Sequence, residues 1–241
     1  MNRFYYILTG IILLNFSANG QELKQIVAEL GNSYEYSVEE QKNWEKALKL
    51  LNQINDFTID YETLSAENKS LIDQLEIGEG PVAEWGDTWN SVAYPYKIEV
   101  SSELKTNSSS NYKSLNLKDN NLLTAWVPNC EKLGVGEKVT FYFRKNNPRV
   151  NTINVFNGYL KNKKLWTQNS RVKTMKMFVN EKEYATLKFK DQPACQVFKF
   201  ESLQTKDRDL IITLEILEIY PGSKWNDVAI SEITFDGLDV F

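Results

Sequence analysis

Leu210-Ile211-Ile212-Thr213-Leu214-Glu215-Ile216-Leu217-Glu218-Ile219-Tyr220 is a long, nearly continuous run rich in β-branched residues. Such a run, bounded by polar and turn-forming residues, predicts a central strand covered on both sides. The flanking segments carry a period of two. Val139, Phe141 and Phe143 alternate with Thr140 and Tyr142, and Ile153 and Val155 alternate with Asn154 and Phe156. Met175, Phe178 and Val179, then Leu187–Phe189, Val197–Phe200 and Ile230–Phe235, mark further strands, separated by Gly, Pro, Asn and Asp. About eight short strands without intervening helices indicate a mainly β fold, a jelly-roll β-sandwich.

Upstream of residue 81 the period changes to that of a helix. Leu23, Ile26, Val27 and Leu30 share one helical face, and Gly31 is placed to end a short first helix. A second starts at Ser37, with Glu40 completing a capping box, and continues through Trp44, Ala47, Leu48, Leu51 and Ile54. Ser65 is the expected cap of a third, whose apolar stripe is Leu71, Ile72 and Leu75. Gly78-Glu79-Gly80-Pro81 ends it as a linker. The expected organisation is a small N-terminal helical region over residues 21–80, a linker at 81–91 and the sandwich at 92–241. About sixty residues of helix bury little surface alone, so docking on the sandwich or on a partner is expected.

The first twenty residues place Arg3 before the apolar run Tyr5–Leu14, then small residues at Ala18 and Gly20. This is the layout of a secretory signal peptide over residues 1–20. Asn15 ends the run too early for a membrane-spanning helix. A secreted or periplasmic protein that does not span the membrane after cleavage is the expectation.

Composition removes several classes of function. The formal net charge is −4, with 28 basic against 32 acidic residues, and no basic cluster offers the electrostatic footprint that nucleic acid or anionic lipid requires. Histidine is absent, so a Ser-His or Cys-His nucleophile does not exist and the commonest metal ligand is missing. Two cysteines, Cys130 and Cys195, are too few for a thiolate zinc site. They are read either as one disulfide or as two buried thiols.

Five motifs then run in order: Asp119 with Thr124-Ala125-Trp126, Gly134-Val135-Gly136-Glu137, Asn157-Gly158-Tyr159, Asn169-Ser170-Arg171-Val172-Lys173, and Tyr220-Pro221-Gly222 through Ser231-Glu232-Ile233. Their order over residues 92–241 resembles the NADase-type glycan-binding domain, a discoidin-like (F5/8 type C, galactose-binding-like) β-sandwich. The resemblance implies binding without catalysis, and an architecture that agrees with the strand pattern. It also implies one structural calcium ion held by Asp119, Thr124 and Glu232 with backbone carbonyls, hard oxygen donors of the kind calcium prefers. Asn120 stands where the family pattern has Gly, and Asn tolerates the same left-handed turn. Without metal, Asp119 and Glu232 would cap turns.

For a ligand, the segment from Asn157 to Lys173 supplies both rings and polar groups, the combination that stacks on sugars and bonds their hydroxyls. Tyr159 and Trp166 are candidate platforms, and Asn169 and Arg171 candidate polar contacts; the competing reading has Asn157-Gly158 as a turn and Asn169 and Arg171 as loop ties. Trp225, in a polar loop, is a further platform. Trp126 and Trp44 read as core, and Gly134 and Gly136 as turn glycines. The resulting expectation is an exported, non-catalytic carbohydrate-binding protein whose partner is a glycan. Its alternative is a module that grips another envelope protein through the same loop edge or the helical half. Glycosidase chemistry from paired carboxylates is the third reading, but Glu215 and Glu218 resemble solvent-facing charges.

Overall fold

The computed structural model describes residues 23–34, 37–76, 89, 93–105, 111–129 and 133–239. The signal segment, the Gly78–Pro81 turn, the 81–91 linker apart from Trp89, and Cys130 lie outside the described residues, so the disulfide reading does too; Cys195 is buried.

Among the described residues ten strands form two sheets packed face to face. In chain order they are β1 (Lys24–Val27), β2 (Glu29–Ser33), β3 (Lys97–Val100), β4 (Lys138–Phe143), β5 (Val150–Asn157), β6 (Arg171–Val179), β7 (Lys182–Lys188), β8 (Ala194–Leu203), β9 (Leu210–Tyr220) and β10 (Ile230–Gly237). The larger sheet runs β1-β7-β6-β9-β4-β3 and the smaller β10-β5-β8-β2. The family-independent strand pattern read from the sequence is the observed sandwich. Between the sheets, the Phe235 ring meets Phe141 and Phe143 edge-on at 4.8 and 5.0 Å, a geometry that adds to the area they bury. Trp126 is fully buried, and its indole N–H donates to the Ser102 carbonyl at 3.0 Å. Trp89 closes the same core, donating to the Leu238 carbonyl at 3.2 Å.

The run that decides the fold is central, between β6 and β4, but it is covered on one side. Leu210, Ile212, Leu214 and Ile216 face the core, whereas Ile211, Thr213, Glu215 and Leu217 are half-exposed on the outer face. Glu215 and Glu218 pair there with Lys138 and Lys173 at 3.3 and 2.7 Å. The apolar outward residues gave the run its continuous look.

The first expected helix is a pair of strands. β1 pairs in parallel with β7, and β2 antiparallel with β8, so residues 24–33 cross from the edge of one sheet to the edge of the other. The crossing is pinned at Ala28, which is buried and donates to the Lys188 carbonyl at 2.9 Å. A helical face would bury Val27 and Leu30 with Ile26. Instead Ile26 and Ala28 are inside, while Val27 is 58 % exposed and Leu30 is 37 % exposed. In so short a segment both periods contain Ile26, and partners more than 150 residues away in sequence, in β7 and β8, decide between them.

The other two helices are as expected. α1 (Val38–Asn55) carries the capping box: Glu40 N–H donates to Ser37 Oγ at 3.2 Å and Ser37 N–H to Glu40 Oε2 at 2.7 Å. α2 (Ala66–Glu76) begins after Ser65, whose hydroxyl accepts from Asn68 N–H at 3.3 Å. They pair through Ala47, Leu71, Trp44 and Leu48, and Glu45 of α1 reaches Lys161 of the sandwich at 3.4 Å. No helix among the described residues is long and apolar enough to cross a membrane.

If β1 and β2 are integral, Ile26→Asp will cost about 3 kcal/mol, the scale of a lost aliphatic side chain plus a buried charge. Urea unfolding of the whole chain measures it. A change under about 0.5 kcal/mol, the usual range of surface substitutions, would mean that this segment only lies against the sandwich.

Candidate functional site

The motifs of the C-terminal half converge at one end of the sandwich. Asn157, at the end of β5, is buried and uses its side chain as a piece of backbone. Its amide N–H donates to the Val172 carbonyl at 2.8 Å and its carbonyl accepts from Val172 N–H at 2.9 Å. Gly158 follows with φ +96, a conformation in which a side chain is strained, and a Cβ there would stand 2.6 Å from Trp166 Cδ1. This glycine is required by close approach as well as by the turn.

The approach is made by a short helix, α3 (Lys163–Gln168), capped by the Asn162 side chain, which accepts from Leu165 N–H at 2.8 Å. Trp166 on α3 is half-buried and donates its indole N–H to the Asn157 carbonyl at 3.0 Å. Its ring face is taken by the Arg171 guanidinium, 4.6 Å from the centroid. Arg171 is itself 7 % exposed and spends its donors internally. Two N–H groups fork onto Asp191 at 3.0 and 2.8 Å, and Nη1 donates to the Asn169 and Pro221 carbonyls at 2.9 and 3.3 Å. Asn169, also buried, donates to the Leu165 carbonyl at 2.8 Å and so closes the end of α3.

These positions are therefore committed to the fold. Asn169 and Arg171 tie loops together rather than reaching out, and Trp166 is the surface on which Arg171 rests. Tyr159 is half-buried against Ala125, Val127 and Ala229, with Tyr112 edge-on at 6.5 Å. Burial, with Tyr112 and Glu45 nearby, pushes its hydroxyl up to about 12.

Trp225 is different. The loop after β9 folds back onto α3, with N–H groups of Ser223, Lys224 and Trp225 donating to the Thr167 and Gln168 carbonyls at 2.8 to 3.2 Å. Gly222 permits this, since a Cβ there would sit 2.3 Å from the Gln168 carbonyl oxygen. The backbone of Trp225 is fixed while its indole stays 45 % exposed, with the Lys224 ammonium 4.5 Å from the ring centroid.

The second convergence is acidic. Asn120 takes φ +59, the turn that the sequence allowed for, and its N–H donates to Glu232 Oε2 at 3.0 Å. Asp119 accepts from Asn121 N–H at 3.0 Å and from the Thr124 hydroxyl at 2.8 Å. Glu232 is fully buried, and its Oε1 has no hydrogen-bond partner among the described residues. Burial raises the Asp119 carboxyl to about 6, against the hydrogen bonds from Thr124 and Asn121 that lower it. Burial and the neighbouring Asp119 charge raise Glu232 well above the ordinary carboxylate range. An orphaned carboxylate oxygen beside a second carboxyl and a hydroxyl is a donor set that suits a hard divalent cation. Among the described residues no cluster of three or more acidic or thiol side chains forms, so carbonyls and water would complete such a shell. Asp227 is exposed and outside this pair. Gly134 and Gly136, at φ +90 and +89, are turn glycines leading into β4.

A two-sheet sandwich whose loops end in this constellation defines the discoidin-like, F5/8 type C class. Residues 89–236 match the family described as NAD glycohydrolase translocation F5/8 type C domain, and the chain belongs to that family. No curated protein matches it. Among solved structures it is similar to a carbohydrate-binding module from Clostridium perfringens in complex with GalNAc-β-1,3-galactose. That match has 14 % identity and TM-score 0.43, and covers 58 % of this chain and 93 % of that one. It is also similar to the C-terminal domain of a chitobiase from Bacteroides fragilis, with 18 % identity and TM-score 0.43, over 61 % of this chain and 96 % of that one. A family 32 carbohydrate-binding module from Streptococcus pneumoniae has 7 % identity and TM-score 0.42, over 58 % and 96 %.

The raised carboxyl groups fix a sign. Between the ordinary carboxylate range and about pH 6 the folded chain holds protons that the unfolded chain has lost, so stability falls as pH rises through that window. With a chelator present, the melting temperature should fall from pH 4.5 to 7, and Glu232→Gln should flatten the slope and raise the value at pH 7. A flat profile in the unsubstituted chain would show that the two carboxyl groups do not share this buried site.

Proposed function

We propose that this chain is an exported, non-catalytic carbohydrate-binding protein that meets its ligand at the α3 end of the sandwich and is steadied there by one calcium ion. The observation that carries the reading is Trp225, an exposed indole on a backbone held rigidly by α3. Sugars stack their apolar faces on such rings, and a preorganised platform keeps the entropic cost of binding low. Membership of an F5/8 type C family supports it. Asp119, Thr124 and Glu232 would hold the ion, whose charge would relieve the repulsion between the two carboxylates and hold the 119–124 loop in place. Glu232 is buried, Asp119 is held by Thr124 and Asn121, and Glu215 and Glu218 are engaged in surface ion pairs, which favours binding over hydrolysis. Export to the periplasm or the exterior rests on the Arg3, Tyr5–Leu14 and Ala18 to Gly20 pattern.

A glycan-array screen of the purified chain at pH 7, with calcium and with chelator, tests this reading. Saturable binding should disappear in Trp225→Ala while the melting temperature stays within about a degree, because the indole contributes little to packing. Calcium should raise the melting temperature of the unsubstituted chain and leave that of Glu232→Gln unchanged. Folded protein that binds no sugar defeats the carbohydrate reading, and a melting temperature indifferent to calcium defeats the ion.

A second reading, engagement of another envelope protein by the helical hairpin, is favoured by Phe57. This side chain is 96 % exposed at the hairpin tip and holds φ +55, where an aromatic residue costs about 1 kcal/mol relative to glycine. It borders a cavity of about 360 Å³ with Ile54, Ile59 and Tyr61, and Asp56, Asp60 and Glu62 around it favour a partner with basic flanks. Phe57→Gly should stabilise the chain by about 1 kcal/mol and abolish sugar-insensitive retention on isolated envelope proteins. Retention unchanged in that variant removes the hairpin tip from consideration.

A further inference from the structure

The first turn of α1 faces α3 across a cleft of about 700 Å³. Val38 and Gln41 form one wall; Lys163, Lys164, Gln168 and Ser223 form the other. The α1 wall lies outside residues 89–236 that match the family, so this cleft belongs to the whole chain and not to the sandwich alone.

The lining has a definite chemistry. Among the described residues no acidic side chain contributes to it, and two lysines do. Lys164 makes no ion pair, and the Gln168 amide makes no side-chain hydrogen bond, among the described residues. Gln41 gives its Nε2 to Glu45 at 3.3 Å, which leaves its carbonyl oxygen to accept. Val38, 72 % exposed, offers a small apolar surface. Amide donors and acceptors with a serine hydroxyl match a polyhydroxylated ring, and the Lys164 ammonium matches an anion. The backbone N–H of Trp225 binds the carbonyl of Gln168 at 2.8 Å, so the loop that carries the exposed indole borders the same cleft.

We infer that the cleft between α1 and α3 binds acidic saccharides, with Lys164 meeting a sugar carboxylate and Gln41, Gln168 and Ser223 the hydroxyls. The inference rests on the carbohydrate-binding reading above and narrows its ligand class. It also gives the helical region a role: α1 supplies half of the site. Glu45 is paired with Lys161 and accepts from Gln41, and Glu40 is folded back onto Ser37 N–H, so these two acids of α1 are already engaged.

The test is calorimetric titration of the whole chain with fragments of polygalacturonate, alginate and hyaluronan, and with neutral galactan and maltodextrin fragments of equal length. At least one acidic fragment should bind about tenfold more tightly than the neutral ones, and its affinity should fall as salt rises. Lys164→Gln should lose about that factor and most of the salt dependence. Val38→Glu places a carboxylate in the cleft while suiting the start of a helix, and should weaken acidic fragments and spare neutral ones. Equal affinity for acidic and neutral fragments, or acidic binding unchanged in both variants, overturns the inference while the carbohydrate reading stands. No binding to any fragment or array sugar overturns both.

Discussion

The arrangement of this end of the sandwich depends on one guanidinium. Arg171 opens β6, forks onto Asp191, reaches the Asn169 and Pro221 carbonyls, and lies on the Trp166 ring. A planar group with five donors can hold several chain segments at once, which an ammonium on a flexible stem does not do. The segments it holds are the exit of α3, the start of β6 and the loop after β9. Because that loop is fixed at Pro221, the backbone of Ser223 to Trp225 can cap α3, and the indole of Trp225 can be presented without ordering cost at binding. The most polar residue of the motif thus works inward, and its contribution is to the position of its neighbours.

A second buried polar group works in the opposite sense. Glu232 lies in β10 with its Oε1 unpartnered, and Asp119 stands near it in a loop whose turn needs the positive φ of Asn120. Alone, two carboxyl groups in that place oppose folding at neutral pH, since burial raises both. Arg171 closes its circuit with Asp191 and carbonyls of this chain, whereas the circuit around Glu232 stays open by one oxygen. That contrast is the physical ground for reading one as architecture and the other as an ion site.

Much of the architecture was legible in the sequence because strand periodicity and turn residues are local. The capping box of Ser37 and Glu40, the turn glycines 134 and 136, and the burial of Trp126 are local facts of the same kind. Residues 24–33 were misread as a helix because their partners lie far along the chain, in β7 and β8. The motif around Arg171 marked the right end of the molecule, but residue type alone does not tell an outward guanidinium from an inward one. What distinguishes them is Asp191, which sits in a stretch that carried no motif. Lys163, Lys164 and Gln168 were visible as a polar loop, while their relation to Val38 and Gln41 exists only once α1 is docked.

The two halves of the chain therefore divide the work unequally. The sandwich supplies rigidity: buried rings, a strand ladder, and polar side chains consumed in tying loops. Its exposed contribution at this end is small, one indole and the outer face of α3. The strands β1 and β2 bind residues 24–33 to both sheets, so the chain leaves the sandwich at Tyr34, which packs on Phe156 with ring centroids 5.4 Å apart. Two residues separate that anchor from the cap of α1 at Ser37. So short a tether, with Glu45 and Lys161 as a second tie, sets the first turn of α1 beside α3. Anchoring the N-terminal strands is thus what gives the sandwich its second wall, and it explains why a site can exist here that the family-matched residues alone do not form.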